Sequence, residues 1–155
     1  MSDPGVGLFA RQSDRLERWV QVGMAGGRVI KVDFLVDRPA GAEMSHSLLD
    51  RFDRYLETGE PMAFDDVEIA LTGPTDHRPA YDTLRQVPFG TSVTVEEIVA
   101  RTAQLPDDDG GTHTVREAIE NNPIPVIIPD HRVDNVTGST PPAVRESLRA
   151  LEELD

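Results

Sequence analysis

Asn122-Pro123-Ile124-Pro125-Val126-Ile127-Ile128-Pro129-Asp130-His131-Arg132-Val133 is the stretch on which the reading of this chain turns. An apolar run set between prolines and followed at once by an acid, a histidine and an arginine is an unusual order of residues. Val126-Ile127-Ile128 reads as a short buried strand, too brief for a helix and β-branched throughout. Neighbours on an extended segment face opposite ways, so Asp130 and His131 are expected to point apart. The simplest role for Asp130-His131-Arg132 is a salt-bridged corner that fixes the domain.

Helical patterns flank this stretch. Upstream, Thr94 precedes Val95-Glu96-Glu97-Ile98-Val99-Ala100, a hydroxyl with a carboxylate three residues on, which predicts a capped helix ending before Pro106. Asp107-Asp108-Asp109-Gly110-Gly111 reads as a solvated acidic loop, because a calcium site needs more alternating ligands. A second helix is predicted over about 112–121, with Val115, Ala118 and Ile119 inward. Downstream, Pro141-Pro142 opens a last helix that turns Val144, Leu148 and Leu151 inward. Helix, loop, helix, extended segment, helix is a winged-helix-like, helix-turn-helix arrangement.

Residues 1–83 read differently, as a small α+β unit. A Gly- and Pro-containing lead and a polar run from Arg11 to Arg18 come first. The alternating runs 19–24 and 28–35 around Gly26-Gly27 predict a β-hairpin, with Trp19 packing toward the core. Ser45 is placed as the cap of a helix over about 46–58, carrying Leu48, Leu49, Phe52, Tyr55 and Leu56 at helical spacing. Val67-Glu68-Ile69-Ala70-Leu71 alternates like a third strand, and a short helix is expected over about 79–86. The expected division is therefore 1–83 and 84–155, with an α+β fold class overall.

Composition narrows the function. There are 28 carboxylates against 15 basic residues, a formal net charge of -13, and every basic residue except Lys31 is arginine. Such an acidic, lysine-poor surface resembles cytoplasmic proteins of salt-accumulating organisms, where self-repulsion is screened. The sign of the charge opposes casual nucleic-acid binding. No cysteine is present, so thiolate chemistry, disulfides and cysteine metal sites are excluded. His46 and His77 show no metal-ligand spacing, and neither a metal nor a cofactor is expected. No apolar run spans a bilayer and Met1 is not followed by a secretory pattern, so no membrane partner and a cytoplasmic address are expected.

The segment 122–133 closely resembles the active-site stretch of methylated-DNA–protein cysteine methyltransferases: Asn-Pro, an apolar run, then Pro-Cys-His-Arg-Val. The likeness extends back to Val87-Pro88-Phe89-Gly90 and forward through the closing helix, over roughly 84–153. These proteins rotate an alkylated guanine out of duplex DNA and take its alkyl group onto the cysteine. The resemblance puts Asp130 at the position of that nucleophile. It puts Asn122, His131 and Glu152 at the relay that normally makes the thiolate. A carboxylate is a far weaker nucleophile toward an alkyl carbon than a thiolate, and a base helps only a group with a proton to lose.

Other positions depart as well. The family's intercalating arginine falls on His113, with Arg116 one turn further as a substitute, and its nucleotide-rotating tyrosine falls on Val95. Two glycines of the recognition helix fall on Arg116 and Glu117, and the base-holding loop shrinks to residues 134–140. Base flipping needs a wedge and a fitted pocket. The resemblance thus implies a DNA-repair-related protein that binds double-stranded DNA, alkylated or not, through His113, Arg116 and Arg132, without alkyl transfer. Arg101, Arg145 and Arg149 are further candidates for a basic face. Alternatives are a regulatory module with a protein partner on the same scaffold, and an enzyme using Asp130 with His131 as an acid/base pair. A purely structural His131–Glu152 pair is the plainest reading.

Overall fold

The computed structural model describes residues 5–106 and 108–154; Asp107 of the expected acidic loop and the first four residues of the lead lie outside the described residues. Three strands, β1 (Gly7–Ser13), β2 (Arg18–Ala25) and β3 (Arg28–Leu35), form an antiparallel sheet in the order β1-β2-β3. The predicted hairpin is β2–β3, with Ala25 opposite Arg28. Gly26 and Gly27 both have positive φ, 59° and 76°, as a two-residue type I′ turn requires. β1 occupies part of the expected polar run. Its Phe9, Ala10 and Ser13 are buried, while Arg11 turns aside to Asp50 and Asp53, each at 2.7 Å.

Helix α1 (Ser47–Thr58) packs against β1 and buries the five predicted apolar residues. Its cap is His46, whose Nδ1 accepts from the Leu48 amide at 3.0 Å, and not Ser45. The expected third strand is also corrected. Residues 67–71 make one parallel bridge, Ile69 with Val29, and Gly73-Pro74 turns the chain away before a ladder can grow. Trp19 is half-buried beneath the Arg38 guanidinium, 5.6 Å from its ring centre.

A 3-10 turn at 75–77 leads into α2 (Arg78–Leu84), which packs on α3 (Val95–Arg101) and α4 (Asp109–Glu120). Thr94 and Glu97 form the predicted reciprocal cap of α3. Part of the expected acidic loop is helix: Asp108 accepts from the Gly110 and Gly111 amides and starts α4 at Asp109. A carboxylate there satisfies orphan N–H groups and faces the positive end of the helix dipole. α3 and α4 are the helix-turn-helix pair, and α5 (Pro142–Leu151) closes the chain with Val144 and Leu148 buried.

Val126-Ile127-Ile128 is buried but is not a strand. Pro123, Pro125 and Pro129 have no N–H for a ladder. The chain instead coils, with Ile128 N–H donating to Ile124 O at 2.8 Å and Val126 at φ 76°. A β-branched residue in the left-handed region costs about 1–2 kcal/mol, which the surrounding core must offset. Residues 130–132 follow as a 3-10 turn. One continuous hydrophobic core joins the sheet, α1 and the later helices. The Val32 amide reaches across to Pro123 O at 3.0 Å.

Candidate functional site

Asn122 sets the shape of the coil. Its side-chain amide donates to Ile128 O at 2.8 Å, and its Oδ1 accepts from the Ile124 N–H at 3.0 Å. Its own carbonyl accepts from Ser139 Oγ at 2.6 Å, drawing the 138–140 segment over the coil. Asp130 lies directly beneath that segment and is 1% exposed. Its Oδ1 accepts from Thr140 Oγ1, and its Oδ2 accepts from the Thr140 N–H at 3.2 Å with Ser139 Oγ also 3.2 Å away. Gly138 is pressed so close that a Cβ there would sit 2.4 Å from Oδ2. The space beside Asp130 is therefore filled by the loop itself.

His131 points the other way, as expected, although a turn and not an extended segment separates the two side chains. It is fully buried, with Nε2 2.7 Å from Glu152 Oε2 and 3.2 Å from Tyr55 Oη. Arg132 clamps the same carboxylate, Nε on Oε1 at 2.8 Å and Nη2 on Oε2 at 3.0 Å, and donates from Nη1 to Val87 O at 2.7 Å. Glu152 also accepts from the Gly90 N–H at 3.0 Å and from the Tyr55 hydroxyl. Five donors thus converge on one carboxylate.

The electrostatics follow from this convergence. Burial would raise the Glu152 pKa, but the hydrogen bonds and charges of His131 and Arg132 outweigh it and hold the carboxyl well below its usual range. Burial lowers the His131 pKa, more than the Glu152 carboxylate raises it. Nδ1 of His131 has no hydrogen-bond partner among the described residues. A neutral ring with its proton on Nε2 fits, since a charged ring would leave a buried N–H unpaired. Burial and the Glu152 charge push the Tyr55 hydroxyl far up. Tyr81, buried and within the field of Asp130, is pushed up to about 12 and donates to Ala118 O at 2.7 Å.

Asn122, Asp130, His131 and Glu152 are thus brought into one neighbourhood, but Asp130 is not hydrogen-bonded to the other three. Sequence reasoning missed Tyr55, which looked like one more apolar member of α1. It also missed Ser139 and Thr140, whose hydroxyls carry no pattern of their own.

The expected DNA-contacting residues are scattered. His113 is 79% exposed on α4 and pairs with Glu117 at 3.1 Å. Arg116 donates to Asn135 O at 3.1 Å. Arg132 is corrected outright as a surface residue: its guanidinium is buried on Glu152, which needs the charge. Arg145 donates to Val133 O, and Arg149 to His131 O and Asp134. Arg101 pairs with Glu97 at 3.6 Å. The outer face of α4 presents Asp109, Glu117 and Glu120 beside His113.

Comparison with known proteins adds independent findings. Residues 76–153 match the family model described as 6-O-methylguanine DNA methyltransferase, DNA binding domain. A methylated-DNA–protein-cysteine methyltransferase of Methanopyrus kandleri is 30% identical over 93 residues, which cover 60% of this chain and 66% of that protein. The fold superposes on Mycobacterium tuberculosis OGT in complex with DNA at TM-score 0.71, with 22% identity over 94% of this chain and 90% of the other. It superposes on the O6-methylguanine-DNA methyltransferase of Pyrococcus kodakaraensis at TM-score 0.69, with 17% identity over 96% of this chain and all of the other.

Proposed function

The chain belongs to the 6-O-methylguanine DNA methyltransferase family, and from that premise we propose that it is an alkyltransferase-like, DNA-binding protein that takes no alkyl group onto itself. The observation that carries this reading is the state of Asp130. At the position where the family's pattern has cysteine, the chain holds a carboxylate whose oxygens are both engaged by the 139–140 segment. Alkyl transfer needs a nucleophile free to reach the alkyl carbon, and a thiolate far exceeds a carboxylate in that role. Packing of Gly138 against Asp130 supports the same conclusion, because a flipped base needs room that the loop now occupies.

In this reading residues 84–155 face the DNA, with His113 and Arg116 of α4 as the contacts, while residues 1–83 support them through Tyr55. Arg132 acts from the interior by holding Glu152. A second reading, a regulatory module with a protein partner, is favoured by one observation: the outer face of α4 carries three carboxylates, which repel phosphates.

Two measurements test this. Intact-protein mass spectrometry after incubation with duplex carrying O6-methylguanine is expected to return the unmodified mass; a gain of one methyl group overturns inertness. Fluorescence anisotropy with methylated and undamaged duplexes across a salt series is expected to show binding that weakens with salt, with a shallow slope of about one or two released ions. Binding to neither duplex at any salt overturns the DNA reading and leaves the protein-partner reading standing.

A further inference from the structure

One cluster of cations lies apart from both α4 and the Glu152 network. Arg28 at the start of β3, Arg78 at the start of α2 and Arg85 just past its end line a single cleft of about 420 Å³, together with Glu68, Asp82 and Leu71. Most arginines of this acidic chain are already held: Arg11 by Asp50 and Asp53, Arg51 by Asp66, Arg132 by Glu152 and Arg149 by Asp134. The side chains of Arg28 and Arg78 make no hydrogen bond or ion pair among the described residues, although Glu68 and Asp82 share their cleft. Arg85 is anchored by Nη2 to Phe64 O at 2.9 Å and Val67 O at 2.7 Å, while its buried Nε has no hydrogen-bond partner among the described residues.

The cleft sets three cations against two carboxylates, and the Arg28 and Arg78 guanidinium groups are bonded to neither Glu68 nor Asp82, which leaves their donors open to a ligand. Its walls are fixed. Glu68 O accepts from the Val29 N–H at 3.0 Å and the Ala70 N–H donates to Val29 O at 2.9 Å, which pins one side to β3. Arg78, Asp82 and Arg85 recur at helical spacing and present one face of α2 on the other.

We infer that this cleft is a binding site for a phosphate-type oxyanion, held by the Arg28 and Arg78 guanidinium groups. Guanidinium forks match the oxygens of phosphate in pairs, and such charge-assisted bonds are about twice as strong as neutral ones. The site is independent of Asp130 and of the α4 face, so it stands or falls apart from the reading above. The anion has two possible sources, free phosphate or the phosphodiester backbone of a duplex.

The test uses the full chain, with Arg28→Ala/Arg78→Ala as the variant and Arg54→Ala, an exposed arginine on α1, as the control for charge alone. Arg85 is left intact because its carbonyl bonds support the fold. Calorimetric titration with inorganic phosphate at fixed ionic strength is expected to show binding that the double variant weakens about tenfold or more, with the control unchanged. In a second arm, undamaged duplex is titrated against salt. A loss in the double variant, with a shallower salt slope, identifies the anion as backbone phosphate. Unchanged duplex binding alongside lost phosphate binding identifies a free anion. Equal binding by wild type and double variant in both arms, no binding in either, or an equal loss in the control, overturns the proposal.

Discussion

The interior behind residues 122–133 and the outer face of α4 sit in the same half of the molecule and follow opposite rules. Inside, Glu152 receives donors from Tyr55, Gly90, His131 and Arg132, so that three separate stretches of chain meet on one carboxylate. Outside, α4 shows three carboxylates and a histidine whose strongest tie is to its own neighbour Glu117. The contrast teaches that a Pro-x-His-Arg-Val pattern describes how a corner is built. Whether that corner does chemistry depends on the residue set into it and on what covers that residue.

The inner half of the comparison breaks most sharply at Glu152. Glu152→Ala leaves the Arg132 guanidinium and the His131 ring buried without their acceptor, and removing one partner of a buried ion pair costs about 3–5 kcal/mol. The expected result is a large drop in the urea midpoint or no folded protein. Glu152→Gln keeps part of the acceptor set and is expected to fall between wild type and alanine. A change within about 0.5 kcal/mol in the alanine variant would mean that the network holds nothing.

Acid probes the same cluster without mutation. His131 is neutral when folded, with its pKa below the ordinary 6.5, so the unfolded chain takes up that proton first. Stability is therefore complete above about pH 6.5 and falls as the pH drops below it. Glu152 is held below its ordinary 4.5, so the unfolded chain is again protonated first, and a second loss begins below that value. Both contributions have the same sign. Urea midpoints measured from pH 8 down to pH 3 are expected to decline in two stages, and a midpoint rising toward acid would contradict a neutral His131.

Between the two regions lies Asp130, where a smaller effect is expected. Gly138→Ala would place a Cβ 2.4 Å from Oδ2 and 2.6 Å from Cγ of Asp130. Overpacking of this kind costs about 1–3 kcal/mol. If the loop instead swings away freely, the variant keeps its stability, and the claim that 138–140 fills the space beside Asp130 fails. Thermal melts of the two proteins decide it.

Local elements were legible wherever a pattern repeats or a cap is spelled out. The α1 stripe, the Thr94–Glu97 cap, the Gly26-Gly27 turn and the inward face of α5 all follow from spacing. β1 was not legible because only Phe9 and Ala10 are apolar among its inward residues, and Arg11 and Gln12 hide the rest. Residues 126–128 misled because hydrophobicity reports burial and not conformation, and three prolines had already removed the ladder donors. The candidate set Asn122, Asp130, His131 and Glu152 was picked out through resemblance. Its division into two separate hydrogen-bonded groups was not, since Tyr55, Ser139 and Thr140 meet it only in three dimensions.

The outer face is where the least stability and the most binding should change. Glu117 lies near two histidines, His113 at 3.1 Å and His77 at 3.6 Å, but it is half exposed, and solvent screens such pairs to within about 1 kcal/mol. Glu120 is exposed with no ion pair among the described residues. Glu117→Arg with Glu120→Arg should therefore leave the urea midpoint nearly unmoved while reversing the charge of the helix face. If that face meets phosphates, duplex affinity rises and the salt dependence steepens by about two released ions. If duplex binding stays as it was, the acidity of α4 is irrelevant to DNA, and whatever grip the chain has must come from elsewhere on its surface. The same pair of variants would then be expected to abolish binding of any partner that recognises the acidic face, so one substitution pair separates the two functional readings.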